Sequence, residues 1–343
     1  MRSFRVDTSR LAMHVYESGH QDGIPVVLLH GNLSTGRFYE HLADDAPARY
    51  RLIAPDMRGF GETERVPIDA TRGLRDWADD THALLEALGI SAAPHLVGWS
   101  TGGAAIAHYA MEHPVASLTF IDPVSPYGFG GVKLDGTPHF EDYAGSGGGT
   151  GNPEFTARLA ASDASDVGDT APRNVLNTSY WRVGHKESPE REDMLVAEIL
   201  KSATGDDGYP GDTSTSGNWP GVAPGTRGIL NALSPKYCNW SGIVDIDLKP
   251  PILWTHGAQD IVVADGSPWE MGTLGSLGAV PGWPGADAFA PQPMVQQIRA
   301  VLSEYETRGG SVEMTIYEES GHFPPLDARE RWSEQFFAFL ESA

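Results

Sequence analysis

His95-Leu96-Val97-Gly98-Trp99-Ser100-Thr101-Gly102-Gly103 decides the reading of this chain. His95 to Ser100 is a short apolar run of the kind that forms a buried strand. Gly102 to Glu112 reads as a helix of small residues. Between them stands Gly98-Trp99-Ser100-Thr101-Gly102, a G-x-S-x-G. On a sharp strand-to-helix turn such a serine is lifted clear of the sheet, beside a helix N-terminus that favours developing negative charge. The turn is tight and the helix packs close to the strand, which is why glycines flank the serine. In a chain with 40 glycines the pattern alone is weak, and an ordinary turn with a passive serine is its bland reading. Its place at a strand end and a helix start gives it weight.

Outward from this turn the same alternation repeats. VVLLH at 26–30, YRLIAPD at 50–56, VASLTFID at 115–122 and PILWTHG at 251–257 are further strand candidates. Helical spacing is found at 36–46, 73–88, 292–307 and 328–341. Residues 3–9 and 11–18 read as a hairpin, and 311–318 as a late strand. Alternating strands and helices predict an α/β fold with a mostly parallel central sheet, helices on both faces, and a ligand site at the carboxyl ends of the strands. The rhythm breaks from 123 to 249, which is rich in glycine, proline and polar residues. A structureless loop of that length is improbable, so helices are expected near 153–162 and 190–203. The division that follows is a core of 1–122 and 250–343 with 123–249 inserted as a cap. A second irregular stretch, 264–288, is placed at the pocket wall.

The partners of Ser100 are sought at other strand ends. His322, in Ser320-Gly321-His322-Phe323, follows the last strand and is the candidate base. Asp260, after the strand PILWTHG, is the candidate acid, able to accept the Nδ1–H of His322. Asp122 and Asp265 are its rivals, and Asp122 is read as anchoring the entry to the cap. Asn32, after His30-Gly31, is the first candidate backbone donor to an oxyanion, with Leu33 as the alternative; the N–H of Thr101 is the second. His30 is read as a structural turn histidine. The 12 histidines include no HExxH or paired ligand spacing, so no metal site is read. Trp99, Leu33, Phe129, Trp181, Trp219 and Trp269 are the candidate substrate-binding residues, on the view that an aromatic, apolar pocket lies under the cap.

Taken in order, HGN, DMRGFG, GWSTGG, HGAQD and SGHF resemble the α/β-hydrolase superfamily over about 1–122 and 250–343. GWSTGG is similar to the elbows of its arylesterase and cofactor-free haloperoxidase branch. The resemblance implies a Ser-His-Asp triad working through an acyl-enzyme, with no cofactor, on an ester, lactone, amide or, in some branches, a carbon–carbon bond. A medium-sized, fairly apolar ester or lactone is the expected substrate. A carbon–carbon hydrolase, a cofactor-free oxygenase or perhydrolase, and a non-catalytic small-molecule binder are the alternatives. Serine at the elbow argues against epoxide hydrolases and haloalkane dehalogenases, which use aspartate there. Asp56 and Arg58 match a structural turn of the family, whereas the 123–249 insertion is longer than its usual cap.

Bulk composition bounds the remainder. With 24 basic against 46 acidic residues the formal charge is -22, which repels phosphate backbones and anionic lipid. Neither nucleic acid nor a membrane surface is an expected partner; a small molecule is, and a homodimer is compatible with the sequence. Cys238 is the sole cysteine, so no internal disulfide forms. The first 20 residues hold no continuous apolar stretch, and the expected location is the cytoplasm.

Overall fold

The apolar runs become the centre of an eight-stranded sheet. In the computed structural model, which describes residues 1–343, its strands are β1 (Arg2–Asp7), β2 (Ala12–Ser18), β3 (Ile24–Leu29), β4 (Tyr50–Pro55), β5 (His95–Trp99), β6 (Ser117–Ile121), β7 (Ile252–Gly257) and β8 (Val312–Tyr317). Their order across the sheet is β1-β2-β4-β3-β5-β6-β7-β8. β1 and β2 form the antiparallel hairpin and β2 runs antiparallel to β4; every other pairing is parallel. Every residue of β4, β5, β6 and β7 is buried, as helices on both faces demand.

The covering helices span Arg75–Ala87, Thr101–Glu112, Met294–Thr307 and Arg329–Ser342. All lie close to their expected positions. The helix expected at 36–46 does not form. The chain makes a 3-10 turn, Gly36–Tyr39, capped by Thr35, and then a single α-turn, Leu42–Asp45. Gly36 opens the 3-10 turn hard against the sheet: its N–H is taken by Asp56 Oδ1, and a Cβ there would meet the Ala54 carbonyl oxygen at 2.2 Å.

The connection from β6 to β7 carries the helices Pro153–Ala160, Pro172–Ser179 and Pro189–Ile199. Each begins with proline at its first position, where the missing N–H costs nothing. Asn152 and Ser188 cap the first and third. The second was not expected from the sequence. The third ties the connection to the loop after β3: Glu198, almost fully buried, accepts from Thr35 Oγ1 at 2.9 Å and from Lys201 Nζ at 3.0 Å. No helix is long and apolar enough to cross a membrane.

Candidate active site

The turn after β5 holds Ser100 at φ 52°, ψ -113°, a conformation that costs a non-glycine residue energy and persists only where its surroundings impose it. They do so by close approach. A Cβ on Gly98 would stand 2.4 Å from the Gly102 carbonyl oxygen, and one on Gly102 would stand 2.3 Å from that of Leu29. The Ser100 N–H donates to Ile121 O at 2.9 Å, and its carbonyl accepts from Gly103 and Val124. The serine is thus fixed at the carboxyl end of the sheet, at the N-terminus of the helix Thr101–Glu112.

His322 follows β8 and lies nine-tenths or more buried. Its Nδ1 is 2.7 Å from Asp260 Oδ2. A carboxylate accepts, so Nδ1 carries the hydrogen and Nε2 is left with the lone pair that can take a proton. The Asp260 Oδ1 accepts the N–H groups of Val262 at 2.7 Å and Val263 at 3.2 Å. Burial works against the Asp260 charge, but His322 and these N–H groups hold its carboxyl below the ordinary range. The His322 loop is fixed too: Trp99 Nε1 donates to His322 O at 2.7 Å, and Asp327 accepts the Gly321 N–H at 2.8 Å. Ser100 and His322 line one cavity. Their side chains share no hydrogen bond in this structure; such contacts tighten when substrate arrives.

Asn32, Leu33 and Thr101 line the same cavity. Their backbone N–H groups have no acceptor within the chain. Two of the corresponding carbonyls are held: the Tyr180 hydroxyl donates to Asn32 O and to Leu33 O, each at 3.1 Å. Leu33 sits at φ 52°. This loop therefore presents unpaired donors beside Ser100 while its carbonyls are turned to the β6–β7 connection, the polarity an oxyanion site requires.

The cavity measures about 380 Å³. Phe129, Phe155, Tyr209, Leu230 and Leu233 from the β6–β7 connection make up much of its wall. Pro268, Trp269 and Leu274 from the 264–288 stretch close another side. No lysine or arginine lines it.

Of the six expected substrate contacts, Leu33, Phe129 and Trp269 line the cavity and three do not. Trp99 is buried between Phe38, Tyr180 and Phe323 and serves the His322 loop instead. Trp181 is turned into the core, against Tyr180 and His185. Trp219 packs edge-on against Phe289 and donates to Pro281 O. Asp122 also departs from expectation. Its carboxyl makes no hydrogen bond to the connection: the strand order puts the end of β6 between β5 and β7, so the fully buried carboxyl lies within 4.8 Å of Asp260 and accepts the Gly257 N–H at 2.8 Å. Asp265 makes no hydrogen bond to the cluster and instead receives the Val295 and Gln296 N–H groups at the start of the helix Met294–Thr307. His30 is structural: Nε2 accepts the Met57 N–H at 2.9 Å, and burial lowers its pKa to about 4. Asp56 binds His14, Gly36 and Glu62, and Arg58 grips Asp80, as structural roles require. Tyr180 had no sequence signal; its contact with Asn32 bridges 148 positions.

Asp122, Asp260 and His322 offer three ligand atoms within 4.8 Å of one another. As a metal site the set fits poorly. Ligands sharing an ion at about 2.0–2.2 Å stand near 3 Å or more apart, whereas His322 and Asp260 are already joined directly at 2.7 Å.

A family model described as alpha/beta hydrolase fold matches residues 24–282. A 2-hydroxy-6-oxo-6-phenylhexa-2,4-dienoate hydrolase of Burkholderia cepacia is 36% identical over 110 residues, 31% of this chain and 37% of that protein. A cis-3-alkyl-4-alkyloxetan-2-one decarboxylase of Xanthomonas campestris pv. campestris is 36% identical over 129 residues, 34% of this chain and 43% of its own length. The chain thus matches less than half the length of these curated relatives. Among solved structures, an esterase from Rhodococcus sp. ECU1013 superposes with a TM-score of 0.60 at 19% identity, covering 100% of this chain and 99% of that one. A thermophilic esterase from Thermogutta terrifontis gives 0.58 at 17%, with 100% and 99% covered. These two likenesses concern the fold.

Proposed function

The chain belongs to the alpha/beta hydrolase fold family, and from that premise we propose that it is a serine hydrolase opening neutral, largely apolar carboxylic esters or lactones through an acyl-enzyme. One observation carries the reading. A serine held at φ 52° on the strand-to-helix turn shares a cavity with a histidine whose Nδ1 is engaged by a buried carboxylate. His322 Nε2 takes the proton of Ser100 as its oxygen attacks the substrate carbonyl. The oxyanion is received by the N–H groups of Thr101 and of Asn32 or Leu33. His322 then protonates the leaving oxygen, and water repeats the sequence to release the acid. The 123–249 connection is the cap that supplies the apolar wall.

The relatives point two ways on substrate. One is named for a dienoate, an anion; the other for an alkyl-substituted oxetanone, a neutral four-membered lactone. A cavity without lysine or arginine gives a carboxylate no charged partner, and burying an unpaired anion is costly. Asp169 among the lining residues adds charge of the wrong sign. Both features favour the neutral substrate.

The test is a comparison of kcat/KM on neutral alkanoyl and aryl esters, alkyl lactones and a 2-hydroxy-6-oxo dienoate. Turnover confined to the neutral compounds supports the proposal. Preference for the dienoate, with esters untouched, overturns it in favour of carbon–carbon cleavage.

A further inference from the structure

Four ionisable side chains meet behind the proposed base: Asp122, His256, Asp260 and His322. The side chains of Asp122 and Asp260 are wholly buried, and those of His256 and His322 nearly so. Asp260 has donors on both oxygens, two N–H groups on Oδ1 and the His322 ring on Oδ2. Oδ2 keeps a second lone pair, and Asp260 lies within 4.8 Å of the Asp122 carboxyl. Asp122 has a donor on only one oxygen. Its Oδ1 receives the Gly257 N–H, but its Oδ2 is sealed from solvent with no donor to receive. His256 shows which species that oxygen belongs to. Its Nε2 is 3.0 Å from Val263 O, so Nε2 bears the hydrogen. Nδ1, unpartnered and 3.4 Å from Asp122 Oδ1, then presents a lone pair. A carboxylate at Asp122 would confront that lone pair, the Asp260 charge and, farther off, the Asp327 carboxyl, with no lysine or arginine in ion-pair reach to offset them. A carboxylic acid there has acceptors on either side for its O–H.

We propose that Asp122 is a positioning residue, whose carboxyl keeps its proton and donates a hydrogen bond to Asp260, leaving one negative charge rather than two behind His322. Burial first, and then the neighbouring Asp260 charge, push the Asp122 carboxyl well above its ordinary range. Burial likewise lowers the pKa of His256, keeping that ring neutral. The donated hydrogen bond delocalises the Asp260 charge and limits how tightly it holds the His322 imidazolium. Its orienting role rests on the serine-hydrolase reading; its protonation does not.

Infrared difference spectroscopy of the full chain, wild type minus Asp122→Asn at neutral pH, tests the protonation without reference to activity. Asparagine keeps the acceptor for Gly257 and a donor toward Asp260. Loss of one carboxylic-acid carbonyl band, shifted in D2O, is the expected result; loss of a carboxylate band overturns the proposal. The pH profile of kcat/KM supplies the second readout. Removing a charge this close to His322 would shift the acid limb down by about one pH unit or more. The proposal expects that limb to stay in place in Asp122→Asn. Asp122→Ala, which loses the donor, raises the limb and lowers kcat about tenfold, and the asparagine recovers most of the loss. An acid limb that falls in Asp122→Asn overturns the proposal. If the protein turns over no ester, the function fails, while the infrared result still decides the state of Asp122.

Discussion

Replacing Asp260 by asparagine should disable the site while leaving the fold intact, and the structure says why. The Asp260 Oδ1 accepts two backbone N–H groups, from Val262 and Val263, and these keep the oxygen of an asparagine in place. Its NH2 group then faces His322 Nδ1 across what is now a 2.7 Å contact. An amide nitrogen donates, so Nδ1 must accept and the ring hydrogen moves to Nε2. A ring with its hydrogen on Nε2 cannot take the proton of Ser100. The expected fall in kcat is about 10⁴-fold, equivalent to roughly 5.5 kcal/mol of transition-state stabilisation, with KM little changed. Stopped-flow hydrolysis of an activated aryl ester at neutral pH measures it, with circular dichroism to verify folding. A variant within tenfold of wild type would refute the assignment of Asp260 as the residue that sets the His322 tautomer.

Other outcomes follow from the same geometry. Tyr180→Phe removes the hydroxyl held by the Asn32 and Leu33 carbonyls; kcat should fall about 5- to 30-fold with KM nearly constant, and a change confined to KM would contradict the role. Trp269→Ala enlarges the cavity from one side, so the kcat/KM ratio of bulky to short esters should rise several-fold in a chain-length series. His30, His41 and His108 are buried, with pKa values lowered to about 4, about 3 and about 3. The unfolded chain therefore binds protons below pH 6.5 that the native state refuses, and stability present above that pH is lost as pH falls. These three contribute up to roughly 4 kcal/mol per pH unit near pH 5, while Asp122 and Glu270, both raised by burial, act in the opposite sense. Tm should still drop between pH 6.5 and 5, and a rise on scanning calorimetry would contradict this.

What could be read from the sequence follows the range of the forces involved. Strands β3 to β7 were legible because a sheet covered on both faces needs mostly apolar runs, and each run ended in a residue type that names its turn. Ser100, Asp260 and His322 were legible for the same reason, each lying just beyond a strand end. Asp122 lay at a strand end too, but its neighbours depend on β6 standing between β5 and β7, an order no local pattern encodes. The tryptophans of the irregular segments were equally opaque. Indole rings fill cores and pockets alike, and only packing separates Trp269 at the cavity from Trp181 and Trp219 elsewhere. The second helix of the connection, Pro172–Ser179, was missed because PRNVLNTS has few strong helix formers and owes its helix to tertiary packing of Leu176 and Ser179.

The central claim is that Ser100 is an activated nucleophile, and covalent labelling tests it most directly. A small fluorophosphonate should add once to the intact protein, seen as a single mass adduct. The account predicts that this adduct maps to Ser100, disappears in Ser100→Ala, and forms far more slowly in His322→Ala. A folded wild-type protein that takes no label, or one labelled equally well after Ser100→Ala, would contradict it.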